Sequence, residues 1–573
     1  MPNQLGNSNP EPPSLEKRLP LALALMMLVL LASQYFFKPA PGPKPAPGPK
    51  PATPVTNKNV AALAAKPQEA APPTVASTEV SAGEVKANSE VPTTIDTSLY
   101  NIVFTNRGAV VKSWTLKKYQ NSLGKPLQLI NPEATDVPLP FSIQTNGQKL
   151  TVDPNTVLYQ AKISPDGRGV DYEYSDGNTT IRKSFRFTRD SYLANIKSEV
   201  LVNNNPVPHF LMWRGGFGDL RVRNASGSDR VVRYDGSANK LEAKVAKDAK
   251  NGPVTESGNY TFAGLEDTFF AAVALPAGES SMEVRTYSDD VKSPGEEKPT
   301  AFVGDGISTG TQNSISLYVG PKDDDILRRV NPKLTKLIDW GFFGILAKPL
   351  FISLNWVHDH LTSNYGWSII IVTLVINILL FPFKLTSLRS ARRMQKLQPQ
   401  IQAINAKYKD VGLRDPRKAE QNQEVMALYK REGVNPLGGC LPLLLQLPFF
   451  YAFYRVLNIA IELRHAPWLW VPDLSQAELL PIHILPLVLI ATQFLMQKMT
   501  PAAGVDPNQQ RMMMFMPLMF GFMFYYASAG LVLYWLTGNL VGIAQQLIIN
   551  KTMPAPPPPP RPVKAPVKRA VKK

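Results

Sequence analysis

Three polar residues sit inside an apolar run where they must either work or be satisfied. Thr373 and Asn377 stand four residues apart in the stretch 366–383, and Lys384 follows Asn377 by seven. At 3.6 residues per turn the three lie near one helix face. A polar stripe that deepens from one end of a span suggests a groove that admits water. An interhelical hydrogen bond from Asn377, worth about 1 kcal/mol, accounts for the asparagine equally well. The next apolar run carries Gln446 between Pro442 and Pro448, whose rings leave backbone carbonyls exposed. Arg455, further along, is placed to snorkel or to pair with Glu462. Residues 496–523 hold eight of the 16 methionines, Met523 among them. Unbranched, polarizable side chains suit a surface that adapts to many apolar partners, and also ordinary lipid-facing packing.

Little else in the chain suggests chemistry. No serine, cysteine or carboxylate pair stands out as a nucleophile or acid–base couple. His358 and His360 flank Asp359 without an evident third ligand, so they read as a polar helix end rather than a metal site. Arg214–Asp219 (RGGFGD) does not complete a dinucleotide fingerprint and reads as a tight turn. The lone Cys440 excludes an intrachain disulfide and reads as a small buried residue. The expectation is no enzyme, no cofactor, no metal and no small-molecule substrate.

The elements that position the polar residues follow from hydropathy. With 573 residues and a net charge of +17, the chain is too long for one domain. Leu19–Phe37 follows Lys17 and Arg18 and is long enough for a span, so a retained signal anchor is favoured over a cleaved signal peptide. Further spans are expected at 366–383, 437–461, 479–499, 511–528 and 531–550, with a turn at Ser528–Gly530 between the last two. That makes six. Residues 1–18 and the basic tail 551–573 then lie on the cytoplasmic side. The Pro/Ala-rich stretch 38–92 reads as an extended tether. From 93 to 325 the apolar pattern has period two with Gly, Asn, Asp and Pro punctuation. Examples are Tyr100–Thr105, Ala109–Leu116, Thr180–Thr188 and Tyr192–Asn203, and the pattern predicts a β-sandwich. Asp323–Asp325 can cap the next helix. Residues 326–361 read as an interfacial amphipathic segment on the outer surface, because a further crossing would put the basic loop outside.

That loop, Lys384–Glu432, holds twelve Lys/Arg and five Asp/Glu and marks the cytoplasmic side. Leu388, Ala391, Met394, Leu397, Ile401, Ile404 and Tyr408 recur at helical spacing. A second helix begins at Asp415-Pro416, runs through Ala419, Met426 and Tyr429, and stops at Gly433. The expected product is an antiparallel helical hairpin, residues 385–433, with Arg389, Arg392, Arg393, Lys396, Arg417 and Lys418 on its outer faces. Such a surface merely sets topology, or binds anionic phospholipids, or meets RNA on a large assembly; the sequence does not rank the last two.

The chain resembles the YidC membrane protein insertase family of Gram-negative bacteria. The resemblance rests on Asp96–Ala109, Asn435–Pro448 (NPLGGCLPLLLQLP), Leu463–Pro467 (LRHAP) and Ser528–Asn539 (SAGLVLYWLTGN), in this order and spacing. It implies a multi-pass inner-membrane protein with an α-helical polytopic core of six spans and a periplasmic all-β sandwich domain. It also implies an activity. Members move hydrophobic segments of nascent membrane proteins from the ribosome or the Sec translocon into the bilayer, through a hydrophilic groove open to the cytoplasm. The hairpin is needed for that activity. By position, Thr373, Gln446, Leu447, Pro448, Met523, Tyr534 and Trp535 match groove or substrate-contact sites. One slot departs: relatives usually carry an arginine where this chain has Asn377. Lys384 is then the expected source of positive charge at the groove mouth. Rival readings are a secondary transporter, for which no matching halves are seen, and an envelope enzyme or carbohydrate-binding protein using the β-domain.

Overall fold

The computed structural model describes residues 83–121, 124–219, 229–277, 281–292, 298–408, 415, 417–434, 441–499, 517–519 and 521–552. The expected anchor, most of the tether, Cys440, the methionines at 512–516 and the basic tail beyond residue 552 lie outside the described residues.

Period-two patterning produces strands with one buried face. Along Thr179–Phe187, residues 179, 181, 183, 185 and 187 are buried and those between are half-exposed. The largest sheet is antiparallel throughout. It runs from Lys240–Lys244 through Arg230–Asp235, Tyr260–Glu266, Phe270–Pro276, Gln312–Pro321, Leu193–Val202, Thr179–Phe187 and Gly169–Ser175 to Gln160–Ile163. A second sheet is formed by Val254–Gly258, Met282–Val291, Thr300–Ser308, His209–Trp213 and Ser142–Thr145. Their apolar faces share one core, in which Phe141 packs edge-on against Phe185 and Trp213. The four strands between Pro92 and Gln128 form a third sheet that adds Tyr100, Phe104 and Trp114 to this core. The expected sandwich is present.

Alternation forces one lysine inward. Lys183 occupies a core-facing position and is 1 % exposed. Its ammonium donates to the carbonyls of Gly108 (2.7 Å), Ala109 (3.2 Å) and Phe141 (2.8 Å). All three acceptors have positive φ, and these turns aim their carbonyls at the core, where each needs a donor. Burial pushes the ammonium down to about 7. Lys183→Met, which fills the space without a donor, is expected to destabilise the β-domain by about 1–3 kcal/mol. Pulse proteolysis of the detergent-solubilised chain across a urea series measures this.

After the last strand, Asp323 accepts the Ile326 amide (2.9 Å) and starts α1, Asp324–Val330, as the acidic run predicted. The amphipathic segment is α2, Gly344–His360. Residue 364 then caps α3, Tyr365–Leu379, by accepting the Gly366 amide at 3.0 Å. The expected first core span does not run straight to residue 383. It breaks at Leu380 and α4, Phe381–Lys396, leaves at 51°. Pro382 has no amide to continue the ladder and its ring disfavours helix at the residue before it. The basic hairpin likewise has two helices in its first arm. α4 ends at Lys396, and α5, Gln398–Lys407, restarts with Pro399 in its first turn. Residue 415 accepts the Arg417 amide (2.9 Å) and leads into α6, Arg417–Arg431, which ends at Gly433 with φ 63°. The two arms enclose Met394, Leu397, Ile401, Leu428, Tyr429 and Val434. Ala419, expected on that inner face, is exposed, and Gln421 is buried instead.

The remaining core helices are α7, Leu441–Ile459, α8, Ile484–Met499, and α9, Ala529–Thr552, with helical residues at 517–519 and 521–524. Among the described residues, α9 alone is a single helix long and apolar enough to cross a bilayer. The bent pair α3–α4 qualifies when taken together. The turn expected at 528–530 falls at 525–528, one step earlier.

Candidate functional site

The last helix organises the polar residues of the core. α9 packs against α3, α7 and α8. Near its start Tyr534 is buried, stacks on Phe453 (centroids 4.4 Å apart) and receives a hydrogen bond from the Gln446 amide at 3.3 Å. Eleven residues on, about three turns and therefore on nearly the same face, Gln545 donates to the Asn377 carbonyl at 3.2 Å. Asn377 is 1 % exposed; its amide donates back to Thr373 (2.8 Å), while its side-chain oxygen accepts the Lys384 ammonium at 2.7 Å. Lys384 therefore does not project along a straight helix. The 51° bend between α3 and α4 folds it back onto the asparagine. Thr373 is fully buried and spends its hydroxyl on the Ile369 carbonyl.

Leu447 and Pro448 lie half-buried one turn before Phe450, Trp535 packs on Phe450 and Phe524, and Met523 is half-buried beside Phe524. The structure thus gathers Thr373, Asn377 and Lys384 at one junction and Gln446, Tyr534 and Trp535 at a second. Gln545, Gln546, Asn539 and Asn550 escaped the sequence reading. Four amide side chains in one apolar run were the available signal. Asn539 donates to Thr492 (3.3 Å) and Gln546 to Asn550 (2.9 Å).

On the hairpin, Arg389, Arg393, Lys396 and Arg417 are exposed, the last paired with Asp415 at 2.7 Å. The side chain of Lys418 lies outside the described residues. Arg392 departs from its expected outer position: it is 9 % exposed and donates to Asn550 on α9. The hairpin is thereby tied to the core, because the face carrying Arg392 turns towards the end of α9.

The loop between α7 and α8 forms the opposite end of the core. Arg464 and its partner Asp219, in the glycine-rich turn of the β-domain, each have side chains 3 % exposed. Arg464 also donates to the Gln120 carbonyl (2.6 Å), which His465 approaches at 2.9 Å. The RGGFGD segment is indeed a turn: Gly215, Gly216 and Gly218 have positive φ, and a Cβ on Gly218 would lie 2.0 Å from the Asp267 carboxylate. Arg455 does not pair with Glu462, as expected from spacing, but with Asp339 at 3.0 Å, because the segment entering α2 lies against α7. Burial, reinforced by the carboxylates of Asp323, Asp325 and Asp324, pushes Glu462 up to about 7. His358 stacks on Tyr365 and contacts Asp359, and His360 contacts the Trp356 carbonyl. No cluster of three metal-ligating side chains occurs among the described residues.

Two family models cover most of the chain: the YidC periplasmic domain at residues 92–353 and the 60Kd inner membrane protein at 356–556. The membrane protein insertase YidC of Geotalea uraniireducens is 34 % identical over 570 residues, covering 94 % of this chain and 100 % of that protein. That of Geobacter sp. strain M21 is 35 % identical over 481 residues, covering 80 % and 85 %. The chain belongs to the YidC membrane protein insertase family. Members are inner-membrane proteins with a periplasmic domain, and they act without enzymatic chemistry. A crystal structure described as an active YidC insertase with its first transmembrane domain resolved aligns at TM-score 0.35 and 19 % identity, over 80 % of this chain and 93 % of that one.

Two outcomes are expected at the brace. Arg464→Ala strands the Asp219 carboxylate in a buried site, a loss of about 3–5 kcal/mol. It is read as earlier thermal unfolding of the full chain in detergent, with the loss much reduced in the Arg464→Ala/Asp219→Ala double variant. Glu462 binds its proton more tightly folded than unfolded, so its contribution is greatest at low pH and falls as pH rises from about 4.5 towards 7. Glu462→Gln is expected to flatten that slope in pH-dependent melting curves.

Proposed function

We propose that this insertase passes apolar segments of nascent membrane proteins along a polar face bounded by α3, α7 and α9, open towards the cytoplasmic hairpin. The observation that carries the reading is the junction Lys384–Asn377–Gln545, a cation and two amides held together among apolar helices. Polar groups this deep are costly unless they serve a path. Asn377 supplies no charge, and Lys384, folded onto it, supplies the cation that draws an acidic translocated tail inward. Gln446 and Tyr534 extend the polar face, and Leu447, Pro448, Met523 and Trp535 offer the apolar side along which a client helix slides. A wet face thins the barrier to a polar tail, and burial of the client's apolar segment in lipid drives the step.

In the same reading the chain has six spans, with the anchor at 19–37 and both termini cytoplasmic. The domain limits are 38–92 for the linker, 93–325 for the β-domain, 326–361 for the interfacial segment and 366–550 for the core. The exposed cations Arg389, Arg393, Lys396 and Arg417 meet the ribosome or anionic phospholipid, and clients arrive directly or from the Sec translocon. The exposed apolar residues Ile345, Ile352 and Trp356 of α2 support the membrane placement.

Lys384→Ala is expected to slow insertion of a substrate with an acidic translocated tail by roughly fivefold, the worth of about 1 kcal/mol per cation. A neutral-tailed substrate should be little affected, and Asn377→Arg in the Lys384→Ala background should restore the rate. Equal insertion of both substrates by Lys384→Ala would sink the assignment. Photocrosslinks from position 447 or 523 to a stalled nascent chain test the path itself.

A further inference from the structure

A cavity of about 450 Å³ opens between the strand pair 230–244 of the β-domain and the segment 335–348 that leads into α2. Its size falls within the range of small-molecule clefts. Its lining includes three cationic side chains, Arg230, Lys336 and Lys348, and one carboxylate, Asp339. The carboxylate is already engaged, by Arg455 at 3.0 Å and by the Gly341 amide at 2.9 Å. Arg230 leans on Glu266 (2.5 Å), which Lys322 shares at 3.2 Å. Lys336 and Lys348 have no ion pair or hydrogen bond among the described residues, so their charges face the cavity uncompensated. Leu241, Ile338 and Trp340 supply an apolar wall.

The neighbouring helix shows where this cavity sits. Phe342, Ile345, Pro349, Ile352 and Trp356 recur at intervals of three and four residues, and all are exposed. Phe342 and Ile345 are 88 % and 85 % exposed. The opposite face, Ala347, Leu350, Phe351, Leu354 and Val357, is buried in the protein. A helix that is apolar on both its buried and its exposed side has hydrocarbon, not water, as its outer solvent. Lys348 adjoins this stripe, one residue before Pro349, where a lysine stem lies along apolar surface and its ammonium reaches the headgroup layer. All the lining residues belong to the part of the chain matched by the periplasmic-domain model.

We infer that this cavity binds the phosphodiester headgroup of an anionic phospholipid of the periplasmic leaflet, with Lys336 and Lys348 on the phosphate. Trp340 packs at the glycerol level and the acyl chains run along the exposed face of α2. The lipid mortars the β-domain to the membrane surface at a place where protein contacts alone leave a gap.

The test uses the full chain in nanodiscs of zwitterionic lipid doped with a photoactivatable phosphatidylglycerol, with crosslinked peptides mapped by mass spectrometry. Crosslinks are expected in peptides containing 230–243 and 335–348. Each of Lys336→Gln and Lys348→Gln should reduce them about fivefold, while crosslinks to the cytoplasmic hairpin stay unchanged and serve as the internal control. Unaltered melting curves show that the variants are folded. Equal labelling by a photoactivatable phosphatidylcholine, or labelling that survives the double variant, would overturn the proposal. Competition by millimolar inorganic phosphate as effective as by anionic vesicles would reassign the cavity to a soluble phosphate ligand.

Discussion

A guanidinium removed from water must find its charge and its hydrogen bonds within the protein, and Arg464 finds them in another domain. Its partners, Asp219 and the Gln120 carbonyl, belong to the β-domain, whereas Arg464 itself belongs to the loop joining α7 and α8. The same loop reaches the core on its other side. Trp468 packs onto Gly366, where a Cβ would lie 2.1 Å from the indole, and Asn364 donates to the Pro467 carbonyl. The carbonyls of Leu474 and Gln476 accept the amides of Gly530 and Ala529, the first of α9. One irregular segment thus sets the β-domain, α3 and α9 relative to one another. A buried ion pair adds little net stability over an apolar substitute, but breaking it is costly, which makes it a device for fixing one arrangement.

Within the core, α9 does the corresponding job with uncharged polar side chains. Tyr534, Gln545 and Asn550 reach α7, α3 and α4 in turn. In a bilayer interior, apolar packing alone does not distinguish one helix rotation from another, since lipid is as apolar as leucine. Hydrogen bonds at three heights do distinguish them. The same groups leave a polar seam within an apolar bundle.

The two ends of the molecule treat charge differently. Among the described residues, the hairpin keeps most of its cations on solvated faces around a small apolar interior, while Arg392 turns back to hold it against α9. At the β-domain end, the charges that meet α2 are mostly paired with carboxylates, and the lysines facing the cavity are the exception.

Much of this was legible in one dimension. Period-two alternation located the strands because a half-buried sheet has no other way to order its side chains. Capping carboxylates and Gly433 marked helix ends. The polar residues of the first core span were visible because apolar runs make them conspicuous. The breaks at Leu380 and Leu397 lie beside Pro382 and Pro399, each of which lacks an amide and disfavours helix at the residue before it. Pairings were another matter. Arg455 with Asp339, Arg464 with Asp219 and Lys384 folded onto Asn377 span from seven to 245 residues. Local periodicity carries no information about which distant carboxylate or amide meets a given cation. That choice is made by how the loop 460–476 and the bend at Leu380 bring chain segments together, and only the tertiary structure settles it.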